Sequence, residues 1–130
     1  MPRTRRRRWT LMLLVLSACE AGELSAPAGF DAPEARARGR ALFLQHCALC
    51  HGERADGFGP RRGSLLPPPA SFRDPSWRAR TTPGHVYETV REGRRGTPMP
   101  AWKAALDERQ TWDVVGYLLG VGRDTAGDAP

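Results

Sequence analysis

Two cysteines and a histidine stand close enough in this chain of 130 residues to act together on one prosthetic group. Cys47, Cys50 and His51 form the pattern C-x-x-C-H, in which each thiol can make a thioether to one edge of a haem. The histidine that follows is then placed to bind the iron, which needs a proximal nitrogen ligand. The pattern therefore predicts one covalently attached haem c, with His51 as an axial ligand.

Two other chemistries also use closely spaced cysteines. A structural zinc site needs four ligands, and apart from Cys19 the only further cysteine or histidine residues are His46 and His85. A redox-active dithiol usually follows a strand in a βαβ unit, whereas the segment before Cys47 has the pattern of a helix. The sequence therefore favours haem attachment over zinc binding and over dithiol chemistry.

The sixth ligand of the iron is sought among residues that can reach the opposite face of the haem. Met99 is the only methionine beyond the N-terminal segment, and Pro98 and Pro100 restrict the backbone on both sides of it. We therefore predict Met99 as the ligand, with His85 as its rival. Ligation by histidine and methionine raises the reduction potential and leaves no open position for a substrate, which favours electron transfer over haem catalysis.

The ring nitrogen of His51 that does not bind iron needs an acceptor, because metal-bound histidines usually donate that N–H to a carbonyl or a carboxylate. Pro60 follows Gly59 in a glycine-rich stretch shortly after the haem motif. We predict that this part of the chain supplies the acceptor, through the carbonyl of Pro60.

Two helices are predicted on either side of a long loop. Apolar residues recur at spacings of three and four from Pro33 to His46, with Asp31 as the expected N-cap. The segment from Thr82 to Gly93 has a cap residue, a proline and a terminal glycine in the positions typical of a short helix. Between these helices, residues 52–77 are so rich in glycine and proline that no regular element is expected.

A third main helix is predicted from Asp107 to Leu119, where Asp107 and Gln110 form a capping box and Gly120 ends the helix. No alternating strand pattern of useful length is found. The predicted fold is therefore all-α, with three main helices and long loops wrapped around one haem. Residues 33–120 form the predicted domain, and residues 121–130 form a flexible tail.

The N-terminus has the features of an export signal. Five arginines precede a short apolar run from Thr10 to Leu16, which is too short to span a bilayer. The sequence Leu16-Ser-Ala-Cys19 resembles a bacterial lipobox, so we expect residues 1–18 to be removed and Cys19 to be lipidated. An ordinary secretory signal cut nearby is the alternative. Residues 19–32 then comprise the lipidated cysteine and a flexible tether.

The positive charge of the chain belongs mainly to this signal. The whole sequence carries 20 Lys+Arg and 14 Asp+Glu, for a net charge of +6. Residues 1–18 contain five arginines and no acid, so the rest has 15 basic and 14 acidic residues. A nucleic acid is therefore not expected as a partner.

Over about residues 33–120 the chain resembles the single-haem class I cytochromes c. In that family a G-x-x-x-F pattern on the first helix packs against an aromatic residue of the last helix. Gly39 and Phe43 match this pattern, and Tyr117 is the expected partner. Two loop motifs match as well: Gly57-Phe-Gly-Pro60 resembles the loop that carries the proximal carbonyl, and Gly96-Thr-Pro-Met99-Pro100 resembles the distal methionine loop.

The resemblance implies a carrier of single electrons that is not itself an enzyme and that binds its redox partner proteins transiently. The expected location is the periplasmic side of a bacterial membrane, through the lipid on Cys19. The alternatives are a cytochrome c subunit of an oxidase or dehydrogenase complex, and a haem-based sensor or peroxidase. The chain departs from family members that dock through a ring of lysines, because Lys103 is its only lysine. Four arginines can replace that ring: Arg61, Arg62, Arg94 and Arg95.

Overall fold

Five α-helices and one short 3-10 turn make up the regular structure of residues 24–124, which are the residues that the computed structural model describes. No strand occurs among these residues, so the predicted all-α fold is confirmed. The helices are α1 (Pro33–His46), α2 (Ala48–His51), α3 (Pro75–Ala79), α4 (Pro83–Glu92) and α5 (Glu108–Asp124), and the 3-10 turn is Arg62–Ser64.

The first helix begins as predicted, but its N-cap is not the expected residue. Ala32 occupies the cap position with an extended backbone, and no side chain satisfies the first turn. Its carbonyl accepts the first helical hydrogen bond from Arg36, at 2.9 Å. Asp31 lies one residue too early to cap α1, and its carboxylate stands instead 4.0 Å from the guanidinium of Arg123.

The crossing of α1 and α5 forms the centre of the fold. Gly39 lies so close to α5 that a Cβ atom there would overlap the carbonyl of Asp113, which only glycine permits. Phe43 is fully buried, and its ring centroid lies 5.3 Å from that of Tyr117. The helix contact that the family resemblance implied is therefore present.

A buried carboxylate links the same two helices. Asp113 is 3% exposed, and its two oxygens each accept a hydrogen bond of 2.8 Å from the guanidinium of Arg38 on α1. Arg109, one turn earlier on α5, donates a further hydrogen bond of 3.2 Å. Because both arginines remain partly exposed, the charge of Asp113 is compensated without burying a second charged group completely.

The helices α3 and α4 begin at side-chain caps. The hydroxyl of Thr82 accepts from the amide of His85 at 3.2 Å, and α4 ends at Gly93, whose φ is 73°. Both features agree with the prediction. The helix α3 begins within the stretch of residues 52–77, where no regular element is expected. Pro75 is its first residue, after a cap by Asp74.

The last helix begins at its predicted capping box but extends further than predicted. Asp107 and Gln110 exchange hydrogen bonds of 2.9 and 2.7 Å between amides and side-chain oxygens. Gly120 does not end α5; it lies inside the helix, where a Cβ would come within 2.5 Å of the Arg36 side chain. Val121 is buried, so residues 121–124 belong to the helix and not to the predicted tail. Residues 125–130 lie outside the described part of the chain.

Residues 24–32 pack on the domain, although the sequence predicted a tether there. The rings of Phe30 and Trp112 meet edge to face with centroids 5.7 Å apart. The carbonyl of Leu24 lies so close to Gly84 that a Cβ on that glycine would stand only 2.6 Å from it. The predicted signal peptide and Cys19 lie outside the described residues. Within residues 24–124, no helix is long and apolar enough to cross a membrane.

Candidate haem site

A cavity of about 690 Å³ opens between α2, α4 and the loops on either side of α4. This volume lies within the range of cofactor and ligand sites in proteins. Its wall contains all four residues that the sequence predicted as haem attachment points or iron ligands: Cys47, Cys50, His51 and Met99. Residues that are far apart in the sequence therefore share one cavity.

The two cysteines reach this cavity because α1 passes into α2 with almost no interruption. The amide of Cys47 donates to Phe43 at 2.8 Å, and the amides of Cys50 and His51 both donate to the carbonyl of Cys47, at 3.1 and 2.9 Å. One helical turn thus places both thiols on the same wall, and both are free. Burial and the neighbouring Cys50 raise the pKa of Cys47 to about 12, so its thiol stays protonated at neutral pH.

The proximal histidine is held by the carbonyl of Ala70. Nδ1 of His51 lies 3.0 Å from this oxygen, and because a carbonyl can only accept, Nδ1 carries the proton. Nε2 is then the nitrogen left for a metal. Burial lowers the pKa of His51, and the hydrogen bond to Ala70 offsets part of this effect. The imidazole is therefore neutral, which is the form that binds iron.

The prediction that Pro60 supplies the proximal carbonyl was wrong. The loop around Pro60 contacts the haem motif through its amides: Gly57 donates to His51 at 2.7 Å, and Gly59 donates to Cys50 at 3.2 Å. Pro60 itself is exposed. Ala70 takes its place because the amide of Phe72 donates to Ala55 at 2.9 Å and so anchors the later segment beside the histidine.

Sequence reasoning missed both Ala70 and Phe72. The run Pro67-Pro68-Pro69 before them is a signal for an extended segment. It does not reveal which side chain that segment will meet, since the contact joins residues that are 19 positions apart.

Aromatic rings cover the histidine side of the cavity. Phe72 stacks on the imidazole of His51 with a centroid distance of 4.7 Å and an interplanar angle of 30°. The ring of Trp77 meets that of Phe72 edge to face, with centroids 4.8 Å apart, and the centroids of Trp102 and His46 are 5.4 Å apart. Both tryptophans and His46 line the cavity. These walls give the cavity the apolar surface that a porphyrin ring needs.

The methionine loop is rigid through its own hydrogen bonds. The carbonyl of Met99 accepts from the amide of Arg94 at 3.1 Å, and its amide donates to the hydroxyl of Thr97 at 3.2 Å. That hydroxyl in turn donates to the carbonyl of Arg94 at 2.7 Å. Gly96, with φ of 77°, allows the turn. His85, the rival ligand, is exposed and also borders the cavity. The role of Met99 as iron ligand stays a prediction.

The cavity suits haem and does not suit zinc. No group of three or more His, Cys, Asp or Glu residues that could hold a metal ion occurs within residues 24–124. The hydroxyl oxygen of Thr81 is buried on the cavity wall without a hydrogen-bond partner, so a polar edge of a bound group can satisfy it. The imidazole of His51 and the thioether of Met99, in a cavity with many apolar and aromatic side chains, are a donor set typical of haem iron.

Residues 34–118 match the family described as cytochrome c oxidase, cbb3-type, subunit III. The chain belongs to this family of c-type cytochromes. Its cofactor is therefore haem c, with iron. Cytochrome c55X of Stutzerimonas stutzeri is 40% identical over 81 residues, which cover 60% of both chains. The solved structure of the KustC0563 c-type cytochrome is 29% identical, has a TM-score of 0.56, and is matched over 64% of this cytochrome and 95% of that chain.

Two longer relatives contain a similar domain. The cbb3-type cytochrome c oxidase subunit FixP of Bradyrhizobium sp. (strain ORS 278) is 31% identical over 94 residues, which are 72% of the cytochrome and 29% of FixP. Dihydro-heme d1 dehydrogenase of Pseudomonas aeruginosa is 35% identical over 91 residues, 69% of the cytochrome and 16% of that protein. The cytochrome thus spans less than a third of the length of either relative.

Proposed function

We propose that this cytochrome transfers single electrons between redox partner proteins through one haem c. In this proposal Cys47 and Cys50 attach the haem, and His51 and Met99 bind its iron. The observation that supports it is that all four side chains line one cavity whose walls are largely apolar. The bound iron supplies a one-electron couple between its ferrous and ferric states.

The residues of the chain then have separate tasks. The thioethers of the two cysteines prevent loss of the cofactor, and Ala70 holds the proton of Nδ1 so that His51 presents Nε2. The hydrogen bonds of the Thr97 hydroxyl keep the Met99 loop in one conformation. If His51 and Met99 both bind the iron, no position would be left open for a substrate, so the cytochrome would have no reaction of its own on one. Its encounters with partners are expected to be brief and small in area.

The experiment that tests this function begins with haem attachment. The purified, exported protein should show the spectrum of a reduced c-type cytochrome and retain haem on a denaturing gel. Changing both Cys47 and Cys50 to alanine should remove the covalent haem. The matched control is Cys19→Ser, which removes the third cysteine of the chain and should leave the haem signal intact. A colourless wild-type protein in which the thiols of Cys47 and Cys50 can both be alkylated would refute the proposal.

A second candidate function is that of a subunit in an oxidase or dehydrogenase complex. It is supported by the names of FixP, an oxidase subunit, and of dihydro-heme d1 dehydrogenase, each of which contains a similar stretch. Purification in mild detergent distinguishes the two functions. A catalytic partner that copurifies in constant stoichiometry favours the complex, whereas a cytochrome that purifies alone and still exchanges electrons favours the carrier.

We further propose that the cytochrome is exported and anchored on the periplasmic side of a bacterial membrane through a lipid on Cys19. The lipobox-like sequence that ends at Cys19 supports this location. The variant Cys19→Ser should move the cytochrome from the membrane fraction to the soluble fraction while it keeps its haem. A variant that stays attached to the membrane would contradict the lipid anchor, and it would not bear on the proposed electron transfer.

A further inference from the structure

Phe72 is enclosed between the predicted proximal ligand and two other rings. One face of the ring stacks on His51, with centroids 4.7 Å apart. Trp77 and Phe43 meet it edge to face, at 4.8 and 6.2 Å. The side chain is buried, with 8% of its surface exposed. Because neighbours contact Phe72 from several directions, it cannot swing away from the imidazole without disturbing the core.

The segment that carries Phe72 contacts His51 in two different ways. The carbonyl of Ala70 accepts the Nδ1 proton of His51 at 3.0 Å, and two residues later the ring of Phe72 covers the imidazole. The amide of Phe72 donates to Ala55 at 2.9 Å, which anchors the segment to the loop that follows the haem motif. A hydrogen bond alone constrains one point of the imidazole, whereas the additional stack constrains its plane.

We propose that Phe72 is a positioning residue that fixes the plane of the His51 imidazole and shields the hydrogen bond to Ala70 from water. The inference rests on the proposed function, in which His51 binds the haem iron. Groups that hold a metal-bound histidine set its ring orientation and its basicity, and through these they tune the metal. An aromatic ring has the flat apolar face that this task needs, and an aliphatic side chain of similar volume does not.

Haem-loaded variants test this proposal. Phe72→Leu removes the stacked ring and keeps most of the apolar volume, whereas Phe72→Tyr keeps the ring. The matched control is Phe58→Leu, the same substitution at a phenylalanine that is 69% exposed. The readouts are the principal g values of the ferric protein by electron paramagnetic resonance and the exchange of the Nδ1 proton with D₂O by NMR of the reduced protein.

We expect Phe72→Leu to shift the g values and to speed the exchange of the Nδ1 proton by about tenfold or more. Exchange becomes faster because a smaller local opening of the structure is then enough to let water reach the hydrogen bond. Phe72→Tyr and Phe58→Leu should match the wild type in both readouts. Should Phe72→Leu not retain folded protein with haem, Phe72→Met provides the same comparison. The proposal is overturned if loss of the ring changes neither readout, or if Phe72→Tyr changes them as much as the aliphatic variant does.

A separate variant tests the proposed function itself. His51→Ala should abolish the axial nitrogen ligand and change the spectrum whatever residue stands at position 72. If the spectrum of His51→Ala equals that of the wild type, the assignment of the ligand fails. If His51→Ala changes the spectrum and Phe72→Leu changes nothing, only the role of Phe72 fails.

Discussion

The two predicted iron ligands are supported in different ways at the scale of single residues. His51 depends on a residue 19 positions away, whose carbonyl holds its Nδ1 proton. The backbone of Met99 is held by its own loop: its amide donates to the hydroxyl of Thr97, which donates to the carbonyl of Arg94. Substitutions in the segment around Ala70 should therefore affect the histidine, and substitutions in the methionine loop should act on the thioether.

The variant Met99→Ala should open the sixth position of the iron and lower the reduction potential, because a thioether ligand favours the ferrous state. Redox titration measures the potential, and mixing the reduced protein with carbon monoxide shows whether the position is open. The exposed His85 on the cavity rim is the residue for comparison, and His85→Ala should leave both measurements unchanged. An unchanged potential and spectrum in Met99→Ala would remove the assignment of this ligand.

The sequence was sufficient to predict which residues meet at the cavity and insufficient to predict what supports them. The haem motif and the methionine loop are short, local patterns, so Cys47, Cys50, His51 and Met99 were all predicted, and all four line one cavity. The acceptor for His51 is a backbone carbonyl, which every residue possesses. Its identity depends on how the segment at Ala70 folds back along Ala55, and no local pattern specifies that contact.

At the scale of elements, the crossing of α1 and α5 depends on one missing side chain. Gly39→Ala would place a Cβ against the carbonyl of Asp113, so the helices must separate. We expect a loss of roughly 2 kcal/mol in the free energy of unfolding, from overpacking partly offset by the better helix propensity of alanine. Denaturant titration measures this loss.

Gly63 provides the control for this variant, because a Cβ there would meet nothing within 4 Å. Gly63→Ala should leave the free energy of unfolding unchanged or slightly higher. Equal effects at the two glycines would mean that the close approach of the helices is not what Gly39 contributes.

The ion pair of Arg38 and Asp113 between α1 and α5 should contribute more to the free energy of unfolding than an ion pair at the surface does. Asp113→Ala leaves Arg38 without its two hydrogen bonds of 2.8 Å and should cost roughly 1–3 kcal/mol in the free energy of unfolding. Glu92→Ala removes an exposed pair with Lys103 and should cost about 0.5 kcal/mol or less. Thermal unfolding of both variants checks the order, and a larger loss at Glu92 would contradict it.

Helix boundaries could be predicted only in part, since the starts at Thr82 and Asp107 were correct and the cap at Asp31 was not. The caps at Thr82 and Asp107 involve side chains within three residues, and both are present in the structure. Gly120 was expected to end α5, yet it lies inside the helix, where the side chain of Arg36 comes so close that a Cβ would stand 2.5 Å from it. A glycine that permits close approach has the same appearance in a sequence as a glycine that ends a helix.

At the scale of the whole molecule, the haem site occupies the place of a core. Without haem, the apolar and aromatic side chains that line the cavity of about 690 Å³ would face water instead of a porphyrin ring. We therefore expect protein made without haem attachment to keep helical far-ultraviolet dichroism but to lose fixed tertiary structure and bind hydrophobic dyes. An apoprotein with sharp, dispersed NMR signals would show that the fold does not need its cofactor.

With the lipid that we propose on Cys19, the packing of Leu24 against Gly84 would limit how far the domain can move from the membrane. If the lipid is attached at Cys19, it lies five positions before Leu24, and a chain of that length spans about 18 Å at most. A domain held so close to its lipid cannot reach an acceptor on the far side of the periplasm. It would instead travel with its lipid in the plane of the bilayer and meet neighbours whose redox centres lie close to the membrane surface.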